Sequence, residues 1–111
     1  MAMQVSQLDG IFHALSDPTR RAILARLALG EASVAQLSEP FALSQPTISK
    51  HLKVLEGAGL IEGGRDAQRR PRRLVAAAMK DAADWIEPFR REWEQRFANL
   101  EHHLSKLQKE S

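Results

Sequence analysis

The chain contains no cysteine. That excludes disulfides, thiolate metal sites and thiol nucleophiles, and it removes the simplest redox switch. No apolar stretch approaches the roughly 20 residues that a membrane helix requires. The start, MAMQVSQLDG, lacks a basic segment followed by an apolar one, so no signal peptide is expected. There is no Gly-rich phosphate loop, no nucleophile–base pair at a familiar spacing and no pair of carboxylates suited to a cleft, which argues against an enzyme. Repeats and low-complexity stretches are missing as well. These absences predict a cytoplasmic protein that has no membrane partner, no cofactor and no catalytic role.

The remaining composition suits one globular domain: 111 residues, 43% hydrophobic and 27% charged. The formal net charge is only +2, but it is unevenly placed. Residues 1–79 carry ten Lys/Arg against seven Asp/Glu, and residues 80–111 carry six against seven. Arg65, Arg69, Arg70, Arg72 and Arg73 fall within nine positions. A local basic cluster on a nearly neutral chain is the footprint of a polyanion partner.

Apolar spacing and punctuation divide the chain into elements. Val5, Leu8, Ile11, Phe12 and Leu15 recur on one helix face. Ser16-Asp17-Pro18 stops that helix and starts a second, to about Leu29, with Ala22, Ile23, Leu27 and Leu24 inward. Ser33 caps a third helix, Val34 to about Glu39, which Pro40 ends. After the tight link Ala42-Leu43, Ser44 caps a fourth, closed by Gly57 and Gly59. Leu60–Arg65 and Arg72–Ala78 suit two strands of a hairpin with a basic tip. From about Lys80 to Lys109, Ala82, Ile86, Phe89, Trp93, Phe97, Leu100, Leu104 and Leu107 form one apolar helix seam. Pro88 is expected to break or kink it early.

The fourth helix carries the functional signal. At 100° per residue, Ile48, Leu52 and Leu55 form its buried stripe. The opposite side carries Pro46, Lys50 and Lys53, flanked by Thr47 and Ser49. Taken alone, such a face is as well explained by mere solvation. Here it begins at a helix N-terminus, where free N–H groups and the positive dipole end favour phosphate. It also follows a short helix and a turn, and it precedes an arginine-rich hairpin. That order is helix-turn-helix plus wing: Gln, Ser, Thr and Lys read base edges in the major groove while wing arginines neutralise phosphates or enter the minor groove. His51 sits at the edge of the buried stripe and is read as a packing or hydrogen-bonding residue. Arg20 and Arg21 are read either as phosphate contacts or as solvated or paired cations.

The segments ALSDPTRRAILARL and LSQPTISKHLKVLEGAGLI, followed by the arginine-rich wing, resemble the ArsR-type winged helix-turn-helix repressors. The likeness spans about Leu8 to Ala78, and the long last helix fits it. The EPF before the turn and ADWIEPFRREWEQRF are similar to a subgroup without evident metal sites. The resemblance implies a mainly α fold with a small β-hairpin, a winged helix-turn-helix with a long C-terminal dimerisation helix, and a dimeric bacterial transcription factor, commonly a repressor. It places DNA contacts at Ser44, Gln45, Thr47, Ser49, Lys50 and Lys53, with Arg65, Arg69, Arg70, Arg72 and Arg73 in the wing. Residues 1–79 would bind DNA and 80–111 would dimerise, within one continuous domain.

No metal is expected. The stretch Ser33-Val34-Ala35, where some relatives hold paired cysteines, has no thiolate, and Asp81 and Asp84 lack a His at matching spacing. His102 and His103 are adjacent, so they point about 100° apart and do not share one ion within a subunit, which leaves a site across a dimer open. A large side chain left in water forgoes about 1.5–3 kcal/mol, so the terminal seam needs cover. Its first residues, from Trp85, are expected on their own domain. Phe89, Trp93, Phe97, Leu100 and Leu104, with Leu8, Ile11 and Phe12 of the first helix, are expected in a homodimer interface that sets two recognition helices about 34 Å apart on a palindrome. The expected partners are double-stranded DNA, a second copy and an effector the sequence does not identify. The competing reading is a winged-helix protein-interaction module without direct DNA reading.

Overall fold

A computed structural model describes residues 2–63 and 71–110. Three of its helices begin at side-chain caps read from the sequence. Helix α1 (Ala2–Leu15) is followed by α2 (Pro18–Leu27), whose N-cap Asp17 accepts from the backbone N–H of Arg20 at 3.0 Å. Helix α3 (Val34–Ser38) starts with a reciprocal cap: Ser33 Oγ accepts from Gln36 N and Gln36 Oε1 accepts from Ser33 N. A 3-10 turn, Glu39–Phe41, leads through Ala42, which is left-handed (φ 54°), to α4 (Gln45–Gly57). Strands β1 (Ile61–Glu62) and β2 (Arg73–Leu74) pair antiparallel, Ile61 with Leu74 and Glu62 with Arg73. Arg72 extends the pairing with a bridge to Ala32, so the wing base also touches the loop between α2 and α3.

The core lies where α1, α2, α3, α4, the hairpin base and the start of α5 (Ala76–Glu110) meet. Ile11, Ile23, Leu37, Ile48, Leu52, Leu55 and Leu60 are fully buried there. The stripe expected on α4 is therefore the one that packs.

Several expectations are corrected. Ala22, read as inward, is exposed, while Ile23, Leu24 and Leu27 are buried as expected. The strands are two residues each. Ala76–Ala78, read as strand, form the first turn of α5, so the division at residue 79 falls inside a helix. Pro88 neither breaks nor ends α5, which runs 35 residues through it. Ile11 is 0% exposed inside its own core and is not available to a second copy; Leu8 and Phe12, on neighbouring faces of α1, remain partly exposed.

Candidate nucleic-acid interface

Helix α4 presents its polar side because its apolar side is held. Ile48, Leu52 and Leu55 are buried, which leaves Ser44, Gln45, Thr47, Lys50 and Lys53 exposed and Ser49 half-buried. Ser44 caps the helix: its Oγ accepts from Thr47 N at 3.3 Å and lies 2.9 Å from Thr47 Oγ1. This satisfies one N-terminal donor and holds two hydroxyls together at the helix start. The six candidates thus lie outside the buried stripe, Ser44 to Lys50 in the first two turns and Lys53 in the third.

The cations next to that face divide into paired and exposed groups. Arg20 donates from Nε to the Ala14 carbonyl at 2.8 Å and from Nη2 to the His13 carbonyl at 3.1 Å. Arg21 Nη1 donates to the Leu15 carbonyl at 2.7 Å. Both arginines therefore finish α1, donating to carbonyls of its last turn, where the His13 carbonyl also accepts from Ser16. Arg20 Nη1 also lies 3.5 Å from His51 Nδ1, and Asp17 is 3.9 Å from the same nitrogen. His51 thus joins α4 to the α1–α2 corner, in line with its reading as a hydrogen-bonding residue. The backbone N–H of Arg20 holds the Asp17 carboxyl below the usual carboxylate range, and the positive fields of His51 and Arg20 act in the same direction.

The wing needs a correction. Arg72, expected to touch DNA, is 4% exposed, and its Nε donates to Glu56 Oε1 at 2.7 Å. Strand alternation explains this: Arg72 shares the inward face with Leu74, whereas Arg73 points out. Gly63 makes the crossing feasible, since a Cβ there would lie 2.5 Å from Arg72 Cδ. Arg73 is exposed and pairs across the hairpin with Glu62 at 2.7 Å. Arg65, Arg69 and Arg70 lie outside the described residues. Glu56, which the wheel left unassigned, was legible only by pairing that alternation with the last turn of α4.

The terminal seam is accessible. Trp85, Ile86, Phe89, Trp93, Phe97, Leu100, Leu104 and Leu107 are all exposed by 44–60%. Phe12 meets Trp85 edge-on at 5.6 Å, and Trp85 touches Phe89 at 4.9 Å, so the seam is continuous with α1. Among the described residues, no group of three or more His, Asp and Glu side chains is placed to hold a metal ion, and no helix is long and apolar enough to cross a membrane.

A helix-turn-helix domain family matches residues 15–63, the span from the end of α1 to the wing base. The transcriptional repressor SdpR of Bacillus subtilis is 35% identical over 82 residues, which cover 74% of this chain and 91% of that protein. A crystal structure of an ArsR family transcriptional regulator superposes with a TM-score of 0.71 at 37% identity, covering 80% of this chain and 92% of the other. This chain belongs to the ArsR family of transcriptional regulators. A solution structure from Mycobacterium bovis, described as a homodimeric winged helix-turn-helix DNA-binding domain and a possible ArsR-family regulator, has a TM-score of 0.62 at 26% identity and covers 88% of each chain. In this winged helix-turn-helix fold, α3 and α4 are the helix-turn-helix pair and the β1–β2 hairpin the wing.

Proposed function

We propose that this protein is a homodimeric transcriptional repressor that reads a palindromic operator. One observation carries the reading. The side of α4 away from the core carries hydroxyls, an amide and Lys50 in its first two turns behind a capped N-terminus and Lys53 one turn on, while Ile48, Leu52 and Leu55 are locked into the core. Gln45 and Lys50 would read base edges; Ser44, Thr47, Ser49 and Lys53 would bond bases or phosphates. Arg73 with Arg65, Arg69 and Arg70 forms the wing's cationic set. Leu8, Phe12, Phe89, Trp93, Phe97, Leu100 and Leu104 form the dimer surface. Residues 1–79 serve DNA binding and 80–111 dimerisation, with the two functions joined inside α5. The protein acts without a cofactor, as a binding protein and not as an enzyme, in the cytoplasm. A protein-docking face on α4 would be richer in aromatics and methionine.

Selection of bound sequences from random duplex DNA tests this directly. The expected result is an enriched inverted repeat with half-sites about one helical turn apart. Binding that shows no preference over scrambled competitor at low ionic strength defeats the proposal.

A further inference from the structure

Both wing arginines that the structure places are held by a glutamate through the same atom. Arg72 Nε donates to Glu56 Oε1 and Arg73 Nε donates to Glu62 Oε1, each at 2.7 Å. Their surroundings differ. The Arg72 side chain is only 5% exposed, whereas those of Arg73 and Glu62 are 66% and 54% exposed. Glu62 and Arg73 stand directly opposite each other in the antiparallel register. Their neighbours Ile61 and Leu74 take the inward face, so the pair occupies the outward face at the base of the wing.

The bond to Glu62 uses only one edge of the guanidinium. An arginine carries donors at Nε and at both Nη atoms, set in one rigid plane. Arg20 has spent all of its nitrogens: Nε and Nη2 donate to α1 carbonyls, and Nη1 faces His51 Nδ1. Arg73 has spent one. Among the described residues its Nε is bonded to Glu62 and neither Nη atom has a partner.

We propose that Glu62 is a positioning residue for DNA: it holds Arg73 by Nε so that the two Nη groups are presented together to one backbone phosphate. This rests on the DNA-binding reading above and gives an acidic residue a role inside a basic surface. Phosphate is the chemistry that fits. Two parallel N–H donors match two oxygens of one phosphate, and such a contact fixes orientation as well as charge. An arginine loose in water samples many rotamers, and a phosphate contact must restrict them. The bond to Glu62 restricts them beforehand. The carboxylate lies at a different edge of the guanidinium from the phosphate, so the cation separates the two anions. Arg72 has no such use, because it is sealed under the hairpin. The competing account is a cross-strand pair that only fixes hairpin register. That role does not depend on what residue 73 presents to DNA.

Glu62→Gln and Glu62→Ala remove the same charge, but only glutamine keeps an oxygen that accepts from Nε. Each is made with Arg73 present and with Arg73→Lys, and thermal melting establishes that the variants are folded. Phosphate contacts carry no sequence information, so the probe is a random-sequence duplex, titrated between about 50 and 200 mM salt. With Arg73 present, Glu62→Gln is expected to bind about threefold tighter than Glu62→Ala and to keep a salt slope steeper by about 0.9, the share of one phosphate. With Arg73→Lys, the two Glu62 variants are expected to bind alike. Equal binding of the two variants with Arg73 present overturns the role of Glu62. A difference that persists with Arg73→Lys belongs to the hairpin and overturns it too. In both cases the DNA-binding reading stands. If the unsubstituted protein binds no duplex at low ionic strength, that reading falls, and the role of Glu62 falls with it.

Discussion

Gln45 and Lys50 are expected to act differently from the wing cations because of what each can reach. Gln45→Ala or Lys50→Ala removes a group proposed to read base edges, so preference at one base position should relax, at about 1–3 kcal/mol per lost bidentate contact. Neutralising Arg69 and Arg70 should weaken binding to all sequences alike and flatten the dependence on salt. A gel-shift panel over point-substituted operators separates the two patterns, and identical behaviour of all four variants contradicts the division. Asp17 supplies a pH prediction. Its pKa is lowered in the fold, so its contribution is present above the ordinary carboxylate range and lost as pH falls through the folded value. Thermal melting followed from pH 7 to 3 should show a decline below about pH 4 that is smaller in Asp17→Asn. Individual roles were only partly legible in the sequence. Ile11 shares a helix face with Leu8 and Phe12 at low angular resolution, and only the position of α2 and α4 against α1 decides which of the three is sealed. Arg72 was misread because arginines near a hairpin tip were treated as one set, although the period of two already separated Arg72 from Arg73.

At the scale of elements, caps and breakers were the readable part. Asp17-Pro18, Ser33 and Ser44 mark helix starts, and all three form cap hydrogen bonds; the reciprocal bond from Gln36 was not read from the sequence. Such signals are local, so they survive without knowledge of the fold. Strand ends and Pro88 were less legible. Val75 to Ala78 has apolar character that fits strand or helix equally, and α5 continues through Pro88 to Glu110. Ala42 yields an element-level prediction. A non-glycine residue at φ 54° costs conformational energy in the link that sets α3 against α4. Ala42→Gly should raise unfolding free energy by about 0.5–1 kcal/mol, as measured by urea denaturation. The Glu56–Arg72 pair ties the last turn of α4 to the wing. Arg72→Met would leave Glu56, about one-third exposed, without that partner. It should cost about 2 kcal/mol, below the range for a fully buried pair because water reaches the carboxylate.

For the whole molecule, the expected dependence is between association and DNA binding. A single exposed seam residue contributes little to the protomer, so Leu100→Asp or Phe97→Asp should leave the melting of a dilute protomer near its starting value. The same change sets a charge in an apolar interface and should shift the protein to monomer. Operator affinity should then fall by at least a hundredfold, because two half-sites are no longer linked. Analytical ultracentrifugation with operator titration checks both. This scale was legible early, since the seam was countable along the chain. What the chain alone did not reveal was that the seam joins α1 through Phe12 and Trp85.

Only Val75 separates strand β2, which ends at Leu74, from α5, which begins at Ala76, and its N–H is bonded to the Leu60 carbonyl at 2.8 Å. The hairpin and the long rod are thus keyed together like a crank on a shaft, with no slack at the joint. In the proposed dimer on DNA, a roll of the rod would therefore be carried to the hairpin through this joint. Two glycines inserted after Val75 should leave assembly intact yet disengage that linkage, visible as a preserved dimer whose hydroxyl-radical footprint loses the flanks protected by the hairpins.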